Sequence, residues 1–592
     1  MRFRSKKQNG FQIFAVSGAN TISFGISATT AAKTGLLGFA IERSDPKANE
    51  KYFMKGFKVF KSIIPQPDEK TEVTTFEHPV QSFVWDDFTG KPGRKYSYLF
   101  YPVRGEPKNL DHSAKPVRID VETEELFSKT AEHQIFFNRG VASSQAYARR
   151  FGNRNPDQLA KEEGQKKAQE ALDWLSRELD EAMLSFVQQV GSGDTLLCCF
   201  YEFRYEPVVK ALREKAKKAD VRIIVDAKDN STSGEKAFPR EVNLELIAKL
   251  KFPAGTIFKR ESRAAAIQHN KFMVWLKGKG AAAKPIEVWS GSTNLSTGGI
   301  HGQTNVGHWI RNKEVAEDFR QYWEILKDDP GGEKGDDPAT VRKKNKEFRQ
   351  KVMALRDIPL KREDVPLGSS AVFSPREGLS LLDFYAMLVD KAGTSSAVTL
   401  AFGVSDAFKS QLADNTKDNQ IVFLLLEKRD KPNPTSKKEF VALTAKNNVY
   451  SAWGAFLRNP VYQWAKETNA LILGLNTHVS YIHSKFLLQD PLGEDPIVVT
   501  GSANFSAAST KENDENMLLI RGNRRAADIY FTEFNRLWNH YYFRSVVEAL
   551  QGRGQALSGD SLFLVENASW TKKYNPGTLR SKRLALYTGM TV

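Results

Sequence analysis

One short pattern occurs twice in this chain. His269-Asn270-Lys271 is followed by Gly291-Ser292-Thr293-Asn294, and His483-Ser484-Lys485 by Gly501-Ser502-Ala503-Asn504. The histidines are 214 residues apart and the glycines 210. Such self-similarity imposes an organisation: two copies of one unit rather than one long fold. The flanking patterns repeat in the same order. In the first copy, apolar runs at Thr195–Tyr201, Val221–Val225 and Ile286–Trp289 read as strands, and Pro207–Ala219 as a helix. In the second, Ala397–Phe402, Gln420–Leu426, Ile482–Leu488 and Ile497–Thr500 read as strands, with Ser405–Ala413 helical. Strands alternating with helices predict an α/β fold in which mixed sheets are flanked by helices.

The rest of the 592 residues divides by pattern. Residues 1–125 predict an all-β sandwich, with alternating runs at Phe11–Val16, Thr21–Ile26, Leu37–Ile41, Phe57–Ile63, Val80–Trp85, Tyr96–Val103 and Val117–Val121. One run, Lys91 to Val103, resembles a late strand of fibronectin- or immunoglobulin-like sandwiches. Residues 126–190 read as a connecting helical segment, with one helical run from Asp157 to Val190. Residues 191–327 and 369–550 are the two repeated units, and 328–368 a linker carrying a charged helix at Ala339–Leu355. Arg525–Leu550 reads as an amphipathic helix, and 551–592 as a basic, loop-like tail.

Charge narrows the partners. A net charge of +16 favours polyanions, nucleic acid or an anionic lipid surface. The two cysteines, Cys198 and Cys199, are neighbours in a strand and point to opposite faces, so they are poorly placed to pair. With no apolar leader after the basic N-terminus and no run of 18 apolar residues, the expected setting is cytoplasmic.

The repeated residues suit phosphate chemistry. In a strand, residues two apart face one side, so each histidine is expected beside its lysine. A neutral imidazole can attack phosphorus and form a covalent intermediate, and a second can protonate the leaving oxygen and then activate water. Lys271 and Lys485 would neutralise the charge that develops, with Ser292, Asn294, Ser502 and Asn504 as further phosphate contacts. Asn305 and Glu515 each lie eleven residues past the motif asparagine, and Gln303 and Asn513 nine past it. Asn305 and Glu515 are assigned to orienting an imidazole, either within one half or crosswise. This chemistry needs no metal or other cofactor. His301, His308 and His478 read as surface or rim histidines, Tyr201 to Tyr205 as aromatic packing, and Phe136-Phe137-Asn138-Arg139-Gly140 as an interdomain contact.

His483-x-Lys485 with Asp490 five residues on, followed by Gly501-Ser502-x-Asn504, resembles the HKD motif of the phospholipase D superfamily. The resemblance spans about residues 190 to 545, and unit one departs from it by placing Leu276 where Asp490 stands. It implies two αβ units across a pseudo-two-fold axis, with one site at their seam. It further implies His269 as nucleophile, His483 as acid/base and Asp490 in support. The superfamily acts on phospholipids and on nucleic acids. The charge and the absence of an export signal favour a nuclease, with a phospholipase that contacts membranes peripherally as the alternative. A third reading is a non-catalytic binding or regulatory module.

Overall fold

The computed structural model describes all residues except 57, 68–70, 141–144, 153, 230–237, 263–265, 433–438, 455–481 and 552–562. Two seven-stranded mixed sheets dominate it, and their strand orders correspond one to one. The first runs His133–Phe137, Val306–Ile310, Lys284–Gly291, Lys271–Lys277, Thr195–Phe200, Asp220–Asp226, Ile257–Arg260. The second runs Gly368–Ser374, Glu515–Arg521, Ile497–Gly501, Phe486–Gln489, Ser395–Leu400, Ile421–Leu426, Val449–Trp453. The central strands pair alike: Thr195–Phe200 and Ser395–Leu400 are each parallel to the next strand and antiparallel to the motif strand.

One apolar core is shared by both sheets. The inner faces contribute Leu197, Cys199, Phe272 and Val274 from the first and Ala397, Phe423, Phe486 and Leu488 from the second. Cys198 points the other way, into the first unit's outer core, as the strand period requires. Two helices fill the seam. Lys313–Lys327 is capped by Asn312 and buries Val315, Phe319, Tyr322, Trp323 and Leu326, a helical stripe. Arg524–Gln551 buries Phe531, Phe534, Leu537 and Trp538, each worth about 1.5–3 kcal/mol of transfer free energy. The Tyr322 hydroxyl donates to the Ser374 carbonyl (2.6 Å), tying the first unit's helix to the second unit's edge strand.

The N-terminal region is a sandwich. A four-stranded sheet (Arg2–Arg4, Phe11–Ser17, Ile22–Ala28, Val84–Asp87) faces a five-stranded one built on Gly38–Asp45 and Lys95–Glu106. The run expected at Phe57–Ile63 is only the short strand Val59–Phe60, paired in parallel with Phe563–Leu564. That pairing corrects the reading of the C-terminus as a basic tail. The segment Ala568–Tyr574 is a 3-10 helix and Leu579–Thr588 an α-helix. Trp570 and Tyr574 lie in the sandwich core, and the Trp570 indole donates to the Leu36 carbonyl (2.8 Å). The buried aromatics decide the matter; Lys572, Lys573 and Arg580 are exposed, while Arg583 turns inward to Asn539.

The connecting segment is also more than a link. His133–Phe137 is the edge strand of the first unit, antiparallel to Val306–Ile310. The single helical run expected from Asp157 to Val190 is three helices, Pro156–Glu163, Gln165–Ser176 and Leu179–Gln188. They break at Gly164 (φ 91°) and at Arg177 and Glu178, both left-handed. Among the described residues no helix is long and apolar enough to cross a membrane.

Candidate active site

Neither motif histidine stands inside a strand: His269 lies two residues before the strand Lys271–Lys277, and His483 three before the strand Phe486–Gln489. Lys271 begins its strand, and Lys485 directly precedes the strand Phe486–Gln489. Each lysine ammonium donates to the carbonyl of its own histidine: Lys271 to His269, and Lys485 to His483 (2.5 Å). This fixes the pairs at i and i+2 by a hydrogen bond instead of by strand pleat.

The seam brings the two halves together crosswise. His269 Nδ1 lies 3.0 Å from both carboxylate oxygens of Glu515, in the other unit. His483 Nδ1 lies 2.8 Å from Asn305 Oδ1, again across the seam. The serines complete each contact: Ser502 donates to Glu515 (2.7 Å) and Ser292 to Asn305 (2.8 Å). The backbone reinforces the crossing. His269 N–H donates to the Asp514 carbonyl (2.9 Å), and His483 N–H to the Thr304 hydroxyl (3.1 Å). The residues between histidine and lysine also reach across, Asn270 to Asn516 (2.8 Å) and Ser484 to Thr304 (3.1 Å). A Cβ at Gly291 would collide with the Val306 carbonyl, and one at Gly501 with that of Asn516, so these glycines permit the close strand approach.

Burial sets the electrostatics. His269 and His483 are 6% and 5% exposed, Lys271 2%, Lys485 and Glu515 fully buried. Desolvation, then the two lysines, holds both imidazoles well below their usual range, so both are neutral. Burial lowers Lys271 to about 8, opposed first by Glu515, and holds Lys485 well below its usual value. Burial pushes Glu515 up to about 7, opposed first by Lys271.

Three residues have supporting roles that the sequence did not assign to them. Asp226 and Glu427 stand at the ends of equivalent strands. Asp226 accepts from the Gln268 N–H (3.0 Å) and Glu427 from the Ile482 N–H (2.7 Å), the residues just before each histidine. Asn138, in the Phe136–Gly140 segment, accepts from Asn305 N–H (2.9 Å) and donates to the Ile300 and Gln303 carbonyls (2.9 and 2.7 Å). It therefore supports the loop that presents Asn305. No local pattern marks these residues, because each acts on a segment remote in sequence.

The remaining readings change. Asp490 is not with the histidines. It follows the far end of the strand Phe486–Gln489, roughly 20 Å along an extended chain from His483. There it accepts from the N–H groups of Gly393 (2.8 Å), Thr394 (2.6 Å) and Ser395 (3.1 Å). Asn294, expected as a phosphate contact, donates its Nδ2 to Glu202 (3.0 Å). Tyr201 does more than pack, with its ring edge-on to His269 (5.1 Å) and beneath the Lys271 ammonium (5.3 Å). His301 and His308 are buried, not at a rim; His308 bonds His133 (2.9 Å) and Tyr530 (3.1 Å). His478 lies outside the described residues. A cavity of about 650 Å³ at Thr195, Arg222, Leu276 and Glu317 contains none of the motif residues.

The family sequence model described as cardiolipin synthase, PLD-like domain, matches residues 187–326 and again 388–538, one match per motif copy. No curated protein matches the chain. Among solved structures, phosphatidylserine synthase of Haemophilus influenzae is 12% identical, with 64% of this chain and 90% of that chain covered, at a TM-score of 0.41. The phospholipase D family member Nuc of Salmonella typhimurium is 18% identical, covering 29% and 95%, at 0.21. A mutant of yeast tyrosyl-DNA phosphodiesterase is 11% identical, covering 58% and 86%, at 0.29. With both units matched by one family, and with the paired His-x-Lys and Gly-Ser-x-Asn motifs brought together at their seam, the chain belongs to the phospholipase D superfamily of enzymes that cleave or transfer phosphodiesters.

Proposed function

We propose that the chain hydrolyses phosphodiesters without a metal, through a covalent phosphohistidine on His269, and that its substrate is nucleic acid. The observation that carries the mechanism is the unequal pair of cross-seam contacts, Glu515 on His269 and Asn305 on His483. An ionised carboxylate only accepts, so His269 carries its proton on Nδ1 and keeps a lone pair on Nε2. The carboxylate also stabilises the positive charge that grows on the ring as that lone pair attacks phosphorus. Asn305 is a neutral acceptor, its amide oriented by donation to the Gly299 carbonyl (2.8 Å). It orients His483 without fixing a charge there, which suits a group that must give a proton and later take one.

The steps balance as follows. The His269 Nε2 lone pair forms the N–P bond as the P–O bond to the leaving alcohol breaks. His483, protonated as the anionic substrate offsets the repulsion of Lys485 and Lys271, gives its proton to the leaving oxygen. It then removes a proton from water; the hydroxide attacks phosphorus and the N–P bond breaks, releasing a phosphomonoester and regenerating neutral His269. Lys271 and Lys485 hold the non-bridging oxygens throughout.

The net charge of +16 supports the nucleic-acid reading and a cytoplasmic setting accompanies it. A phospholipid substrate is the second reading, favoured by the cardiolipin synthase description of the matched family. Turnover of single- and double-stranded DNA, RNA and mixed phospholipid vesicles in EDTA, beside His269→Ala, separates them. Nucleic-acid cleavage lost in the variant is the expected result. Lipid cleavage alone would replace the substrate, and complete loss of wild-type activity in EDTA would remove the two-histidine mechanism.

A further inference from the structure

The two halves also depart from each other along one segment that leads into the site. Thr195–Phe200 and Ser395–Leu400 are equivalent strands, and the residues that leave them toward the site are Tyr201-Glu202-Phe203-Arg204 in one and Ala401-Phe402-Gly403-Val404 in the other. Glu202 is 4% exposed, while its counterpart Phe402 is 71% exposed. The Glu202 carboxylate accepts from Asn294 through one oxygen (3.0 Å) and from Arg204 through the other (2.9 and 2.8 Å). It is close enough to Lys271 to favour that lysine's charged form, second only to Glu515 among the nearby groups. Because a carboxylate only accepts, the Asn294 amide nitrogen must face Glu202, and Asn294 Oδ1 is left buried without a partner. The equivalent Asn504 Oδ1 is buried without a partner as well, so what distinguishes the first half is the buried Glu202 carboxylate beside Asn294 and Lys271.

We propose that Glu202 is a specificity-determining residue that admits the singly charged phosphodiester and disfavours the doubly charged phosphomonoester. The proposal rests on the phosphodiesterase reading of the site, and it gives the pocket a direction. Lys271 and Lys485 face the substrate's charge, with Asp226 and Glu427 behind them as well as Glu515. Glu202 is the buried carboxylate beside Lys271 that the other half replaces with Phe402; Arg204 holds its outer oxygen, and its inner oxygen faces Asn294, so a second negative charge on the substrate meets it in a site with little water. Such a device also releases the product, because hydrolysis of a diester turns a monoanion into a dianion. Arg204, on the outer side of Glu202 and 24% exposed in its side chain, holds the carboxylate in place.

The test compares bis(p-nitrophenyl) phosphate with p-nitrophenyl phosphate at pH 8, which share a leaving group and differ in charge. Wild type should prefer the diester strongly. In Glu202→Gln, which can still accept from Asn294 but carries no charge, the ratio of diester to monoester kcat/KM should fall by roughly tenfold or more. Glu202→Ala, losing the Asn294 contact too, should show the same fall in ratio with a larger loss of diester turnover. Calorimetric titration with tungstate, a dianion, gives an arm independent of any turnover: Glu202→Gln should bind it about tenfold more tightly than wild type. Wild type without diester preference, a variant that loses both substrates equally, or unchanged tungstate affinity would each overturn the proposal. Failure of both nitrophenyl esters in wild type would count against the phosphodiesterase reading, with the tungstate comparison still deciding the role of Glu202.

Discussion

The His269 half and the His483 half of the site share their motif residues and differ in the partner of the imidazole. Each imidazole is gripped at Nδ1 by a residue eleven past the opposite motif's asparagine, and each grip is backed by a serine. In one half that residue is the carboxylate of Glu515, in the other the amide of Asn305. Geometry alone would make the histidines interchangeable. The partner breaks the tie, because a carboxylate lowers the cost of building positive charge on its ring and an amide does so much less. The comparison teaches that a duplicated fold supplies symmetric positions, and that chemistry enters through single-residue departures from the symmetry.

The sharpest way to break this comparison is to remove each imidazole in turn. His269→Ala should lose about 10³-fold or more in turnover with every substrate, and should form no acid-labile phosphoprotein. His483→Ala should lose as much on an alkyl diester, whose leaving oxygen needs a proton. It should retain adduct formation with bis(p-nitrophenyl) phosphate, whose leaving phenolate does not. Adduct that survives His269→Ala and vanishes in His483→Ala would reverse the roles.

A smaller effect is expected from the partners. Glu515→Gln should cost about 10²-fold in kcat, and Asn305→Ala less, because only the first removes a charge that compensates the attacking ring. The pH profile of kcat/KM sharpens the point. Glu515 titrates at about 7 and acts as the anion, so activity should rise as pH increases through 7. Lys271 titrates at about 8 and acts as the cation, so activity should fall as pH rises through 8. Glu515→Gln should abolish the acidic limb and leave the alkaline one. An acidic limb that persists in that variant would mean another group carries it.

Much of this site was legible in the sequence because its residues recur at fixed offsets. The pairing of Asn305 with His483 and Glu515 with His269 was not, since offsets within a unit carry no information about which unit is faced. Asp226, Glu427 and Asn138 were missed for a related reason: each is a lone polar residue at a strand end, and its target amide lies tens to hundreds of residues away. The C-terminal segment misled by composition. Its lysines and arginines are conspicuous, whereas Trp570, Tyr574 and Tyr587, which bury it, are few and widely spaced. The breaks at Arg177 and Glu178 leave no trace either, because neither residue type announces a left-handed conformation.

The smallest effect concerns Asp490, where the two units solve one structural problem with the carboxylate on opposite strands. In unit two, Asp490 follows the motif strand and binds the amides that lead into Ser395–Leu400. In unit one, Leu276 takes its place, and Asp194, just before the equivalent strand Thr195–Phe200, reaches back instead. Asp194 accepts from the Gly278 N–H (3.2 Å), the Trp275 indole (3.1 Å) and the Lys277 ammonium (3.1 Å). Asp194 thus supplies in unit one the strand-end clamp that Asp490 supplies in unit two. Asp490 sits at φ 45°, a conformation asparagine also tolerates, so Asp490→Asn isolates the loss of charge and acceptors from backbone strain. Weakening these partly exposed bonds by about 1–2 kcal/mol should speed amide exchange in a peptide spanning residues 393–395 by roughly tenfold. The counterpart Asp194→Asn should do the same at Gly278, and the diester kcat per active site should change by less than about threefold in both. A catalytic loss in Asp490→Asn comparable to that of Glu515→Gln would put this aspartate back into the chemistry and end the comparison with Asp194.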